Sequence, residues 1–269
     1  MEGVFMKKSV VLAILTLMLP SLALANGGNN LSIYLNGEDV TRLEKPANAI
    51  IRQDRTYLPI RTVAEELNYK VDWIQEKKEV KISNNETTVS MKLGSKNYEV
   101  NKEKKKMDVE PFLDKDTTYI PVRFLEDSLG LKIHWDEKER LILLGEHKIS
   151  DKFKGQEPRY FQKEDMSFIL PEEYKKDIVF EDGKFYDRKN YEADRKGLNG
   201  FIVEIFRTKS PRQELNNDHL IFGYKDGFYY CLSHRGDATH NEKDKELSES
   251  FLQSYKKMED IIGTIKMGK

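Results

Sequence analysis

Tyr57-Leu58-Pro59-Ile60-Arg61 and Tyr119-Ile120-Pro121-Val122-Arg123 stand 62 residues apart and carry the same pattern. The same shift lays Trp73 on Trp135, the two tryptophans of the chain. Between 57–82 and 119–144, six of 26 ungapped pairs are identical and seven more exchange one apolar residue for another. That is a duplication. Each copy reads physically in the same way. Pro59 and Pro121 suit a helix start, where a missing N–H costs nothing. Ile60, Val63, Ala64 and Leu67 then follow i, i+3, i+4, i+7 spacing, and Val122, Leu125 and Leu129 keep that stripe although Glu126 replaces Ala64. Asn68 and Gly130, tolerant of left-handed backbone, mark the helix ends. Val71/Trp73 and Ile133/Trp135 alternate as half-buried strands, and charged turns lead to partner strands at 80–82 and 141–144. The expectation is one strand-helix-strand unit per copy. Trp73 should lie beneath its helix near Val63 and Leu67, and Trp135 beneath its own near Leu125 and Leu129.

Upstream, Ile33-Tyr34-Leu35-Asn36-Gly37 and Met91-Lys92-Leu93-Gly94 read as strands entering tight turns, so the duplicated region spans 31–146. The lysine-rich stretch Asn101 to Met107 reads as an exposed turn. A strand ending in Asn-Gly, then Thr-Tyr-hydrophobic-Pro-hydrophobic-Arg, a short helix and hydrophobic-x-Trp together resemble the stalk domain at the N-terminus of copper amine oxidases. The family's Trp-Asp survives at Trp135-Asp136 and reads Trp73-Ile74 in the first copy. The resemblance implies a module common in secreted Gram-positive bacterial proteins, and no copper chemistry: in that family the metal and the quinone belong to a separate, large catalytic domain. Tyr57, Pro59, Arg61, Trp73, Tyr119, Pro121, Arg123 and Trp135 are therefore structural repeat positions. Each arginine should bury its stem and pair with a carboxylate or carbonyl near the helix start. His134 and His147 lack the three or four converging donors a metal requires.

The first 25 residues differ in kind. Lys7 and Lys8 precede an apolar run of about ten residues, too short for the ~20 a spanning helix needs, and Ala23-Leu24-Ala25 offers small residues for cleavage. This is the layout of a signal peptide at 1–25, leaving Asn26 first and a mature chain without a membrane span. The single cysteine closes no internal disulfide. With 45 Lys+Arg against 46 Asp+Glu, the whole molecule has no field to draw in nucleic acid.

After a polar linker at 147–160, residues 161–269 carry a second pattern. Asp182-Gly183 and Lys225-Asp226-Gly227 mark two hairpins, and 201–206 alternates as a central strand. Leu247, Phe251, Tyr255, Met258, Ile262 and Ile265 step by three and four along a long amphipathic helix. An antiparallel sheet covered by a C-terminal helix is expected, and a PsbP-like sandwich is one fold that fits. The overall class expected is α+β.

Chemistry-bearing residues gather at 231–240. Cys231 as nucleophile, His234 as base and Asp237 as orienter would make a hydrolase site, and His234, Asp237 and His240 are metal-capable, without a zinc spacing. The readings beside these are a buried inert thiol and a solvated loop, with Arg235-Gly236-Asp237 arising by chance. The chain has neither a phosphate-binding glycine loop nor a Gly-x-Ser-x-Gly elbow. The sequence thus points to a secreted, non-catalytic envelope protein without cofactor or metal. Its stalk would present a C-terminal module to a cell-wall or envelope component or another secreted protein. The alternative is a wall-directed hydrolase using the 231–240 loop.

Overall fold

A computed structural model describes residues 31–42, 48–193, 199–214, 219–234, 239–240 and 242–268. The expected signal peptide lies outside the described residues. The chain divides into two compact units, residues 29–146 and a second beginning at His147. The α+β expectation is overturned. The described residues contain twenty-one strands in several antiparallel sheets and five α-helices, of which only the last exceeds eight residues. No helix among them is long and apolar enough to cross a membrane.

In the first unit the strands are β1 (Ser32–Leu35), β2 (Glu38–Asp39), β3 (Ile50–Arg52), β4 (Arg55–Pro59), β5 (Lys70–Ile74), β6 (Glu79–Ser83), β7 (Thr88–Lys92), β8 (Asn97–Val100), β9 (Glu103–Lys106), β10 (Phe112–Asp114), β11 (Thr117–Pro121), β12 (Ile133–Asp136) and β13 (Leu141–Leu144). Helix α1 (Ile60–Glu66) follows β4, and α2 (Val122–Leu129) follows β11. Pro59 and Pro121 end those strands in extended conformation and serve as N-caps. Asn68 and Gly130 take left-handed backbone after the helices, as their chemistry allows.

The copies do not close on themselves. β4 and β11 pair antiparallel, with Leu58 opposite Ile120, Tyr57 opposite Pro121 and Pro59 opposite Tyr119. Because Leu58 and Ile120 are themselves repeat equivalents, a local two-fold relation runs through that pair and orders the sheet β10-β11-β4-β3 symmetrically. Beyond it, β13 of the second copy pairs with β1 from before the first copy. Conversely, β6 of the first copy pairs with β7, which precedes the second. The exchange is imperfect: β1–β13 is parallel, whereas the short 84–87 loop forces β6 and β7 into an antiparallel hairpin. Self-contained strand-helix-strand units are thus replaced by interlocked sheets. Ile33, Leu58, Val63, Ile82, Ile120, Leu125 and Leu144, all under 1% exposed, form one shared core.

Three readings need correction. Trp73 and Trp135 are 38% and 41% exposed and lie outside that core cluster. Both occupy the rim of edge strands, and the indole of Trp73 donates to Gln75 Oε1 at 2.5 Å. Val71 and Ile133, two residues earlier, make the inward contacts instead. The buried face of α2 carries Phe124 and Ser128 with Leu125, so Val122 and Leu129 sit only at its margin. The stretch expected as an exposed turn at 101–107 contains strand β9, which extends the sheet β5-β6-β7-β8-β9.

In the second unit β14 (Arg159–Phe161), β15 (Met166–Phe168) and β21 (Lys266–Met267) form one small sheet. A five-stranded antiparallel sheet takes the order β16 (Ile178–Glu181), β17 (Lys184–Asp187), β18 (Phe201–Thr208), β20 (Phe228–Ser233), β19 (His219–Lys225). Asp182-Gly183 and Asp226-Gly227 turn its hairpins with positive φ at both central residues, the geometry that matches strand twist. Helices α3 (Arg188–Ala193) and α4 (Pro211–Glu214) are short, and α5 (Lys245–Ile262) is capped by the Asp244 carboxylate, which accepts from Leu247 N. Phe251, Tyr255, Met258, Ile261 and Ile262 of α5 pack with Phe168, Phe185, Ile205, Tyr230 and Leu232. Residues 147–160 are tied to this unit: His147 Nε2 lies 3.0 Å from the Ile262 carbonyl, and Phe153 packs edge-on against Tyr174.

Candidate functional site

The residues singled out at 231–240 do not converge. Cys231 lies on β20, opposite Phe206 of β18 and Ile221 of β19, and is fully buried. Its thiol has no route to a substrate carbonyl. His234, just past the strand end, is half-buried, and Asp237 lies outside the described residues. His240 is carried onto α5, where its ring stacks on Phe251 at 4.1 Å and Nε2 lies 3.5 Å from Ser248 Oγ. Burial pushes the imidazole below its ordinary pKa, against the opposing pull of Glu242 and Asp187. It is a neutral ring at pH 7, and its Nδ1 has no hydrogen-bond partner among the described residues. A base without an orienting partner, at the far limit of hydrogen-bond reach from its hydroxyl, is poorly set for proton transfer.

What the sequence did not announce is the carboxylate beside it. Asp187 ends β17 and is fully buried. Its Oδ1 accepts from Asn190 N at 2.9 Å and Asn190 Nδ2 at 2.6 Å, so it caps α3. Its Oδ2 accepts from Ser250 and Ser254 of α5, both at 2.8 Å. Asn190 Nδ2 also donates to Leu247 O, and Ser254 Oγ to Asp177 O. Gly200 closes the cluster at φ 68°, where a Cβ would lie 2.5 Å from Asn190 Cβ. Both carboxylate oxygens are saturated, so Asp187 does not orient His240. The cluster is a polar bracket joining sheet, α3 and α5. The available signal was Asp187-x-x-Asn190 at cap spacing and two serines at i, i+4 within the apolar face of α5.

The repeat residues fall into place separately. Tyr57 and Tyr119 flank Phe112, at 4.9 and 5.5 Å between ring centroids, with Arg52 above that ring. Arg61 reaches Glu65 and the Val71 carbonyl, at 3.1 and 3.0 Å. Arg123 lies 3.8 Å from Asp108, which Arg55 also binds at 2.9 Å. Burial lowers the His134 pKa, and among the described residues no group of three or more metal-capable side chains gathers.

Interlocked repeats of this kind define a β-rich, duplicated module, distinct from the sheet-and-helix unit that begins at His147. Residues 34–144 match the copper amine oxidase N-terminal domain family. A protease inhibitor of Brevibacillus choshinensis is 30% identical over 104 residues, 39% of this chain and 31% of that protein. The chain therefore spans about a third of that relative's length.

Proposed function

We propose that this is a secreted, non-catalytic protein whose copper amine oxidase N-terminal domain holds out the unit beginning at His147 as a binding module, toward an envelope component or another secreted protein. The observation that carries the reading is the family match at 34–144, a domain that in its namesakes stands apart from the copper centre. Burial of Cys231 supports it against the hydrolase alternative, because a nucleophile sealed between β18 and β19 has no substrate access. The test is turnover of amine, ester and peptidoglycan substrates by the purified chain. No turnover is expected, and any turnover abolished by His234→Gln or His240→Gln would overturn the proposal.

The relative's name favours one finer version, in which the bound secreted protein is a protease. Titrating the chain against secreted serine, cysteine and metalloproteases tests it. Stoichiometric inhibition is the expected result, and cleavage of the chain without inhibition would remove that version.

A further inference from the structure

We propose that the solvent face of the β5–β9 sheet docks a linear anionic polymer built on phosphodiesters and lacking bases, such as a polyol phosphate. Residues 70–106 hold ten lysines against six carboxylates, in a chain balanced at 45 to 46. Nine of those ten lysines have no carboxylate within 4.0 Å among the described residues, and only Lys70 is paired, with Asp72. Nothing in the architecture demands this charge. The counterpart sheet β12-β13-β1-β2 has no lysine or arginine in its strands and three carboxylates, Glu38, Asp39 and Asp136.

The register gathers the excess on one face. Val80, Ile82, Val89, Met91 and Tyr98 point into the core, so their neighbours point outward. Lys81 stands opposite Asp72, Lys92 opposite Glu79, Lys104 opposite Glu99 and Lys106 opposite Asn97, so with Lys70 the outward strand positions hold five lysines against three carboxylates, and exposed Lys96 adds a sixth cation in the turn between β7 and β8. At the other end of this face a shallow depression is lined by Lys81, Lys102, Thr88, Ser90, Asn101 and Glu99. Cations spread across the strands, in excess over the carboxylates between them and interspersed with hydroxyls and amides, suit a flexible polyanion. Its phosphates would release counterions while its hydroxyls hydrogen-bond. The outward positions of β6 to β9 carry no aromatic side chain, so the stacking platform that single-stranded nucleic acid uses is missing. Edge lysines also discourage strand addition, but that role concerns the edge strands β5 and β9 and does not extend to Lys81 and Lys92 on inner strands.

Binding of fluorescently labelled poly(glycerol phosphate) to the full chain, followed across a sodium chloride series, tests the proposal. The expected result is saturable binding that weakens steeply with salt. The K92Q/K104Q/K106Q variant should lose about tenfold or more in affinity, and K175Q/K189Q/K245Q on the second unit should lose nothing. Should the first variant misfold, Lys92→Gln alone should still lose about threefold, and K104R/K106R should bind as the parent does. Three results would overturn the proposal: no binding at low salt, equal loss in both triple variants, or tighter binding of a thymidine oligonucleotide than of the polyol phosphate. None of them bears on the binding module beginning at His147.

Discussion

Replacing Asp187 by alanine should unfasten α5 from the sheet it covers. The side chain accepts four hydrogen bonds in full burial. Losing the α3 cap costs about 0.5–2 kcal/mol, and hydrogen bonds to a charged acceptor contribute about 1.5–3 kcal/mol each. These do not simply add. Ser254 keeps Asp177 O as a partner, Asn190 Nδ2 keeps Leu247 O, and the desolvation cost of a buried carboxylate is relieved. Asn190 N and Ser250 Oγ are left to find new partners. The net loss should be about 3–5 kcal/mol, enough to consume a large part of a domain's stability. Both tryptophans lie in the first unit, which supplies an internal control. In urea, tryptophan fluorescence should report an unmoved transition, while hydrogen exchange at α5 accelerates by the equivalent of the lost free energy. A loss under about 1 kcal/mol in α5 protection would refute the bracket. A tryptophan transition shifted by the same amount would refute its confinement to the second unit.

The side chain of Glu38 is half-buried near Glu66, and desolvation followed by that repulsion pushes its pKa to about 7. Its stability contribution is therefore present at pH 4 and lost as pH rises toward 7. Glu38→Gln should match the parent at pH 4 and exceed it at pH 8 by about 1–3 kcal/mol in urea unfolding, a range discounted for solvent screening. His240 runs the other way: held neutral by burial, its contribution is present above about 6.5 and lost below. His240→Gln should flatten the acid limb of a melting-temperature profile, leaving the slope from His147, which burial lowers in the same sense. Gly200→Ala would force a Cβ against Asn190 in left-handed backbone, and should lower the second unit's stability by about 2–4 kcal/mol by calorimetry. Trp73→Ala and Trp135→Ala, at the exposed rims, should each cost under about 2 kcal/mol, well below the 3–5 of a fully buried aromatic.

Local chemistry was legible and pairing across distance was not. Pro59, Pro121, Asn68 and Gly130 act within a few residues, so their spacing alone located two helices. Asp182-Gly183 and Asp226-Gly227 likewise dictate turns whose backbone no other residue pair takes as easily. The repeat was visible, yet identical strands can pair within a copy or between copies, and the alternation of Val71/Trp73 is the same either way. Only the Leu58–Ile120 register decides it. That exchange also carries the tryptophans to sheet rims, since period-two patterning assigns a face without saying how far that face is covered. At the candidate site, Cys231 is fully buried on β20. The Asp187 bracket escaped because its four donors come from segments more than fifty residues apart.

The proposed export of a binding protein is tested most directly by the mass of the native chain recovered from culture fluid and envelope washes. The account expects a polypeptide beginning at Asn26 and found outside the cell. A chain retaining Met1 and confined to the cytosol would contradict it.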